Sequence, residues 1–302
     1  MKKILLLILA SALTVSMSAC GGSTDGKAKE PTGVTADSEE NQPDQQGQDE
    51  TKQAVSATIA ETVLVDESGV KITAKGLESD GTWGANLRLA IENNSGKDLT
   101  VQCRNASVNG YMVDTMMSVD IVDGKKANDE LVFMSSDLEV CGISTIADMD
   151  FSFHIFTTEG WDTYLDTPQI QLKTSAADTY QYSFDDSGYL AYEGNGVKIT
   201  IKGLAENHSI FGPSIIAYIE NTSDKNITVQ TRNVSVNGYM VDATFSSDVM
   251  SGKHAVDAIT FMSSDLEKNG ITAIENVDLS FHIFDMDSWD GIVDTDIISM
   301  AF

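Results

Sequence analysis

Val101-Gln-Cys-Arg-Asn-Ala-Ser-Val-Asn-Gly-Tyr-Met-Val-Asp114 is repeated, 128 positions on, as Val229-Gln-Thr-Arg-Asn-Val-Ser-Val-Asn-Gly-Tyr-Met-Val-Asp242. In each copy an alternating apolar and polar run enters Asn-Gly and leaves through Tyr-Met-Val. A two-residue hairpin turn needs positive φ at both central positions, and Asn and Gly tolerate this best, so the stretch predicts a β-hairpin.

The repetition extends outward on both sides. Gly69-Val-Lys-Ile-Thr pairs with Gly196-Val-Lys-Ile-Thr, Phe133-Met-Ser-Ser-Asp-Leu-Glu139 with Phe261-Met-Ser-Ser-Asp-Leu-Glu267, and Phe153-His-Ile-Phe156 with Phe281-His-Ile-Phe284. This pattern predicts an internal duplication with units at 58–176 and 177–302, each long enough for one core. Within a unit the hydrophobic period is two. Leu87, Leu89 and Ile91 alternate with polar neighbours, as do Phe151, Phe153 and Ile155, and turn residues recur between such runs. Many short strands and almost no helical pattern predict an all-β fold of two tandem β-sandwich domains. Ser135-Ser-Asp-Leu-Glu139 and its twin read as a capped single helical turn, stopped by Gly142 and Gly270. Residues 180–184 read as an extra strand-like piece able to bridge the two units.

The first twenty residues carry Lys2 and Lys3, a short apolar run from Ile4 and a small-residue close at Met17-Ser-Ala-Cys20, with 1–19 as the signal peptide. The apolar run is too short to span a bilayer, which predicts a secretion signal. The segment resembles the lipobox of bacterial lipoproteins, with Met17 in the place usually held by Leu, Val or Ile. That resemblance implies lipidation of Cys20 and anchoring at the extracellular face of the cell membrane. Residues 20–57 are Gly, Ser, Thr, Asp, Glu, Gln and Lys with few apolar groups, and are predicted to form a disordered tether. Beyond the tether, the strand pattern is similar to that of tandem immunoglobulin-like domains in surface lipoproteins of Gram-positive bacteria. The resemblance implies an adhesion or binding role, but brings no motif that carries chemistry.

Charge narrows the partners. A formal charge of −27 repels phosphate backbones and anionic head groups, so nucleic acid is excluded as a partner and the expected one is an extracellular protein or glycan. No nucleophile and base recur together, and no Gly-x-Ser-x-Gly elbow is present, so catalysis is not expected, nor is a cofactor.

Four sets of residues invite a chemical reading. Cys103 and Cys141 are both missing from the second copy, where Thr231 and Asn269 stand. They read as a disulfide that would restrict the unfolded chain by roughly 3.5 to 4 kcal/mol, the alternative being two buried free thiols. His154 and His282 occupy equivalent sites, yet no acid stands two residues away to complete a metal set, and they read as outer-face residues. The run Asp285 to Asp296 is acidic but misses EF-hand spacing, and reads as a solvated loop anchored by Trp289. Arg104 and Arg232 read as pairing with Asp114 and Asp242 across the hairpin, the alternative being a polar binding cluster of these residues with Asn105 and Asn233.

One asymmetry between the copies remains. The outward positions of the strand at 85–92 are Asn86, Arg88, Ala90 and Glu92, whereas the second copy has Ser214, Ile216, Tyr218 and Glu220. Apolar groups facing water in one copy alone predict either a partner site or a contact with the neighbouring unit. As a partner site it would centre on Ile216 and Tyr218, with Phe284 beside them if its strand shares the sheet. The sequence therefore predicts a lipid-anchored binding module, with a spacer or scaffold of the envelope as the alternative.

Overall fold

A computed structural model describes residues 57–302, the side chains of Asn207 and His208 excepted. The signal segment, Cys20 and nearly all of the tether lie outside the described residues.

The chain is all-β. Its first half contains β1 (Thr62–Glu67), β2 (Val70–Gly81), β3 (Gly84–Asn93), β4 (Leu99–Val108), β5 (Tyr111–Met112), β6 (Thr115–Met116), β7 (Ser118–Ile121), β8 (Lys125–Met134), the helical turn α1 (Ser135–Val140), β9 (Asp148–Thr157), β10 (Thr163–Asp166) and β11 (Ile170–Lys173). The second half runs through β12 (Tyr189–Gly194), β13 (Val197–Ser209), β14 (Gly212–Asn221), β15 (Ile227–Val236), β16 (Tyr239–Met240), β17 (Ala243–Thr244), β18 (Ser246–Val249), β19 (His254–Phe261), α2 (Ser263–Lys268), β20 (Asn276–Asp285), β21 (Gly291–Asp294) and β22 (Ile298–Ala301).

In the first half one sheet has the order β1-β2-β3-β8-β6, and the facing one the order β10-β9-β4-β5 with β7 on β4 and β11 on β9. In the second half β12-β13-β14-β19, with β17 on β19, faces β16-β15-β20-β21, with β18 on β15 and β22 on β20. Alternation along each strand sends one set of side chains into the space between sheets. Leu87, Val101, Phe133, Phe151 and Phe153 fill the first core, and Ile215, Val229, Phe261 and Phe281 the second.

The Asn-Gly hairpins form as read. Asn109 and Gly110 have φ of 52° and 86°, Asn237 and Gly238 of 50° and 82°, and Val108 faces Tyr111 as Val236 faces Tyr239. The Asn109 side chain bonds onward to Thr145 O, Ala147 N and Asp148 N, fixing the turn to the segment before β9.

The helical turns also form, but the Ser cap does not. Met134 and Met262 occupy the N-cap positions with no side-chain cap bond. Asp137 and Asp265 instead accept the backbone N–H groups of Asp114 and Asp242, at 2.5 and 2.8 Å. Each carboxylate thus ties its helix to the end of the hairpin. Residues 180–184 form no strand.

The halves meet edge to edge. β5 lies parallel to β19, with Tyr111 opposite His254 and the His254 N–H bonded to Gly110 O at 2.9 Å. Through this contact the second and third sheets run on into one of eleven strands.

A candidate binding surface and the junction between the halves

Tyr218 settles the asymmetry between the copies. It is 3% exposed and packs with the first half's core rather than its own. Its ring stacks on Phe184 at 5.3 Å and His254 at 5.7 Å, and lies 6.4 Å from Tyr111, while its hydroxyl meets His254 Nδ1 at 2.9 Å. Tyr182 closes the cluster edge-on to Tyr111 at 5.1 Å and donates its hydroxyl to Cys141 O. The segment 180–184 thus bridges the halves through its side chains. In return Met112 packs against the second core, and Lys253 pairs with the nearly buried Asp150 of β9.

The face read as centred on Ile216, Tyr218 and Phe284 is therefore not one partner surface. Tyr218 is buried in the junction, Ile216 is part-exposed and belongs to neither core cluster, and Phe284 sits on β20 in another sheet. Burial holds the His254 imidazole below its ordinary pKa and lifts the Tyr218 hydroxyl far above its own.

The cysteines are not paired, which corrects the disulfide reading: both thiols are free. Cys103 lies within β4 opposite Phe153, its thiol directed to Arg104 O at 3.9 Å, whereas Cys141 ends α1 and its thiol faces the Val256 N–H across the junction. Their joint absence from the second copy reflects two separate surroundings. Burial raises Cys103 to about 11 and Cys141 to about 12.

The arginines also miss their expected partners. Asn105 and Asn233 have φ of 55° and 54°, and the β4–β9 and β15–β20 registers slip there. Such a bulge re-aims the neighbouring side chain. Arg232 reaches Asp294 at 3.2 Å instead of Asp242, and Arg104 makes no ion pair among the described residues.

Two outer sheet faces carry the same constellation. On the first, His154 Nδ1 meets Asp166 Oδ1 at 2.5 Å, and Trp161 stacks on Phe156 at 5.5 Å and 17°. On the second, His282 meets Asp294 at 2.7 Å, and Trp289 stacks on Phe284 at 5.7 Å and 19°. The acid missing from the histidine's own strand comes from the neighbouring one, since Asp166 and Asp294 lie directly opposite in register. Beside each aromatic pair runs a polar row. Thr100 donates to Asp120 and Gln102 to Ser118, as Thr228 does to Asp248 and Gln230 to Ser246.

Both tryptophans are 76% exposed and both have positive φ, 59° and 64°. A bulky side chain in the left-handed region is strained, and such strain is commonest at functional sites. The stacked phenylalanine buries one ring face and leaves the other to solvent.

The acidic loop after β20 is held by protein donors. Asp285 accepts from Lys225 at 2.9 Å and from the N–H groups of Asp287 and Ser288, and Asp287 accepts from Asn226. The Lys225 ammonium and those N–H groups hold the Asp285 carboxyl down at about 2. Among the described residues no group of three or more His, Cys, Asp or Glu is placed to hold a metal ion.

At the junction the second platform gains a wall. A cleft of about 480 Å³ is lined by Phe284, Met286, Trp289, Thr228, Gln230, Ser246 and Asp248 from the second half and by Arg104 and Asn105 from the first. It shares Asn105, Ser246 and Asp248 with a second cleft holding Asp114, Asp137 and Asp257. Burial raises the Asp257 and Asp114 carboxyls, helped at Asp114 by the charges of Asp137 and Asp248 and at Asp257 by those of Asp114 and Asp137.

No known family matches the sequence, and no curated protein does. Among solved structures, the chain is similar to a crystal structure of the YadV chaperone at 12% identity, covering 70% of this chain and 90% of that one. The TM-score is 0.23, too loose a likeness to inform function.

Proposed function

We propose that this chain is a lipid-anchored extracellular binding module whose two tandem immunoglobulin-like domains, products of an internal duplication, present their outer sheet faces to a protein or glycan. The observation that carries this reading is the pair of exposed, strained tryptophans, each set on the same Phe, His and Asp and beside the same polar row. The stack on phenylalanine returns about as much as the left-handed backbone costs, so stability alone does not favour an exposed indole at this position.

The immunoglobulin-like reading is supported by strand order. β2-β3-β8-β6 follows the A-B-E-D order of that fold, β4, β9 and β10 follow C-F-G, and β13 to β21 retrace both. The duplication is supported by the matching sequence of elements and by equivalent bulges at Asn105 and Asn233. Lipid anchoring rests on the Met17 to Cys20 segment. Cys20→Ala is expected to release the protein from the membrane fraction or leave it unprocessed, and unchanged retention with normal processing refutes the anchor.

The test of binding is capture of extracellular proteins and glycans by residues 57–302, repeated with Trp161→Ala/Trp289→Ala. Capture lost in the double variant supports the module. The junction favours the second reading, a spacer, because Lys253–Asp150 and the Tyr111 cluster hold the halves in one orientation. Capture of nothing above background by the unsubstituted protein selects the spacer.

A further inference from the structure

We infer that the cleft between the halves binds an uncharged oligosaccharide, with one sugar ring stacked on Trp289 and its hydroxyls held by Arg104, Asn105, Gln230 and Asp248; the inference rests on the binding-module reading and names its ligand.

The chemistry of the lining selects this class. A pyranose has an apolar C–H face and a rim of hydroxyls that both donate and accept. The free face of Trp289, held flat by Phe284 at 19°, offers a matching apolar plane. Around it stand a guanidinium, two amides and a carboxylate, whose planar ends each bond two neighbouring hydroxyls. Arg104 has no ion-pair partner among the described residues, whereas its counterpart Arg232 is spent on Asp294. One Asp248 oxygen takes the Thr228 hydroxyl, and no bond to the other occurs among the described residues.

Charge rules on the alternatives within the class. The lining carries one charge of each sign, Arg104 and Asp248, while the net charge of −27 works against a polyanionic sugar. A peptide strand would need a free sheet edge or a deep apolar pocket, and this cleft has one aromatic wall and a polar remainder. Its volume suits one or two rings.

The first half supplies an internal comparison. Trp161, Phe156, Thr100, Gln102, Ser118 and Asp120 form the same platform, whereas the second also has Arg104 and Asn105 of the other half along its cleft. Both platforms offer stacking, and at the second the residues of the other half add a wall that selects. Affinity is expected to depend mainly on Trp289, with Trp161 adding avidity on a long chain.

The experiment uses residues 57–302 on an array of immobilised glycans, followed by titration with soluble hexasaccharides of β-1,4-linked glucose and of β-1,4-linked N-acetylglucosamine. Intrinsic fluorescence in a Trp83→Phe/Trp161→Phe background reports Trp289 alone. The expected result is binding to neutral glycans, a shift in Trp289 emission, a tenfold or greater loss in Trp289→Ala and in Arg104→Ala, and at most a threefold loss in Trp161→Ala on short oligosaccharides. Circular dichroism unchanged from the parent keeps a folding defect apart from a lost contact. No binding to any neutral glycan, or binding that survives Trp289→Ala, overturns the inference. If a protein partner is still captured in that case, the binding-module reading stands and only its ligand class falls.

Discussion

Replacing Tyr218 with Ala should open the junction without unfolding either half. Tyr218 points out of its own sandwich, so its loss leaves the second core intact, but it removes a side chain only 3% exposed from the seam. Truncating a buried large aromatic costs about 3 to 5 kcal/mol where the surroundings cannot collapse. A seam collapses more readily than a core, and the stacks on Phe184 and His254 account for about 0.5 to 1.5 kcal/mol each. The expected loss is about 3 kcal/mol, roughly a hundredfold in the equilibrium between docked and open arrangements. Tyr218→Phe keeps the rings and loses the hydroxyl bonded to His254, for about 1 kcal/mol. Limited proteolysis reads this directly, because the segment carrying Tyr182 and Phe184 is held in place by the seam, and cleavage through brief opening follows the open population. Cleavage between residues 174 and 188 should accelerate about a hundredfold in the Ala variant and several-fold in the Phe variant. Rates within twofold of the parent, with circular dichroism unchanged, would show that this cluster does not hold the halves together.

Three further outcomes are expected. The junction responds to pH with opposing signs: His254, depressed by burial, contributes stability above about 6.5 that is lost as pH falls through its lowered value. Asp114 and Asp257, raised by burial, instead add stability as pH falls through theirs toward 3.8. His254→Gln should thus abolish the acid-side loss in a denaturant series from pH 7 to 5, and an unchanged profile refutes the assignment. Both thiols should resist a thiol reagent at pH 8 in the folded protein and react fully on unfolding, with intact mass showing two free cysteines; a mass two units lower would restore the disulfide. Trp289→Gly should change stability by no more than about 1 kcal/mol, since relief of a left-handed residue worth about 1 to 2 kcal/mol offsets a lost stack of about 0.5 to 1.5; a loss beyond 2 kcal/mol in urea would make the indole a structural anchor.

The sequence carries local geometry more legibly than neighbourhood. The Asn109-Gly110 hairpin was readable because two adjacent residues both need positive φ, a requirement that no distant contact alters. Tyr218 stood out as a large aromatic where its twin, Ala90, is a methyl, but only the fold could say that the other half covers it. The arginine pairing failed at Asn105, where one left-handed residue slips the register and turns the next side chain away from Asp114. The His154–Asp166 pair was invisible because strand pairing brings together residues twelve apart along the chain. The cysteines misled for the same reason: shared absence says nothing about shared location.

The contact between β5 and β19 joins unlike surfaces, a hairpin tip on one side and a strand edge on the other, so as a symmetry operation it does not close on itself. Contacts of that kind can propagate without end. The second half still has the donor: Tyr239 and Met240, twins of Tyr111 and Met112, stand 53% and 67% exposed. The first half lacks the acceptor, because Lys126 and Ala90 occupy the places of His254 and Tyr218, and Lys125 and Lys126 are both exposed. A charged edge of this sort turns away an incoming strand. The exposed Tyr239 and Met240 tip thus finds no matching edge on the first half of a second copy, and the contact that joins the halves is not offered again between chains.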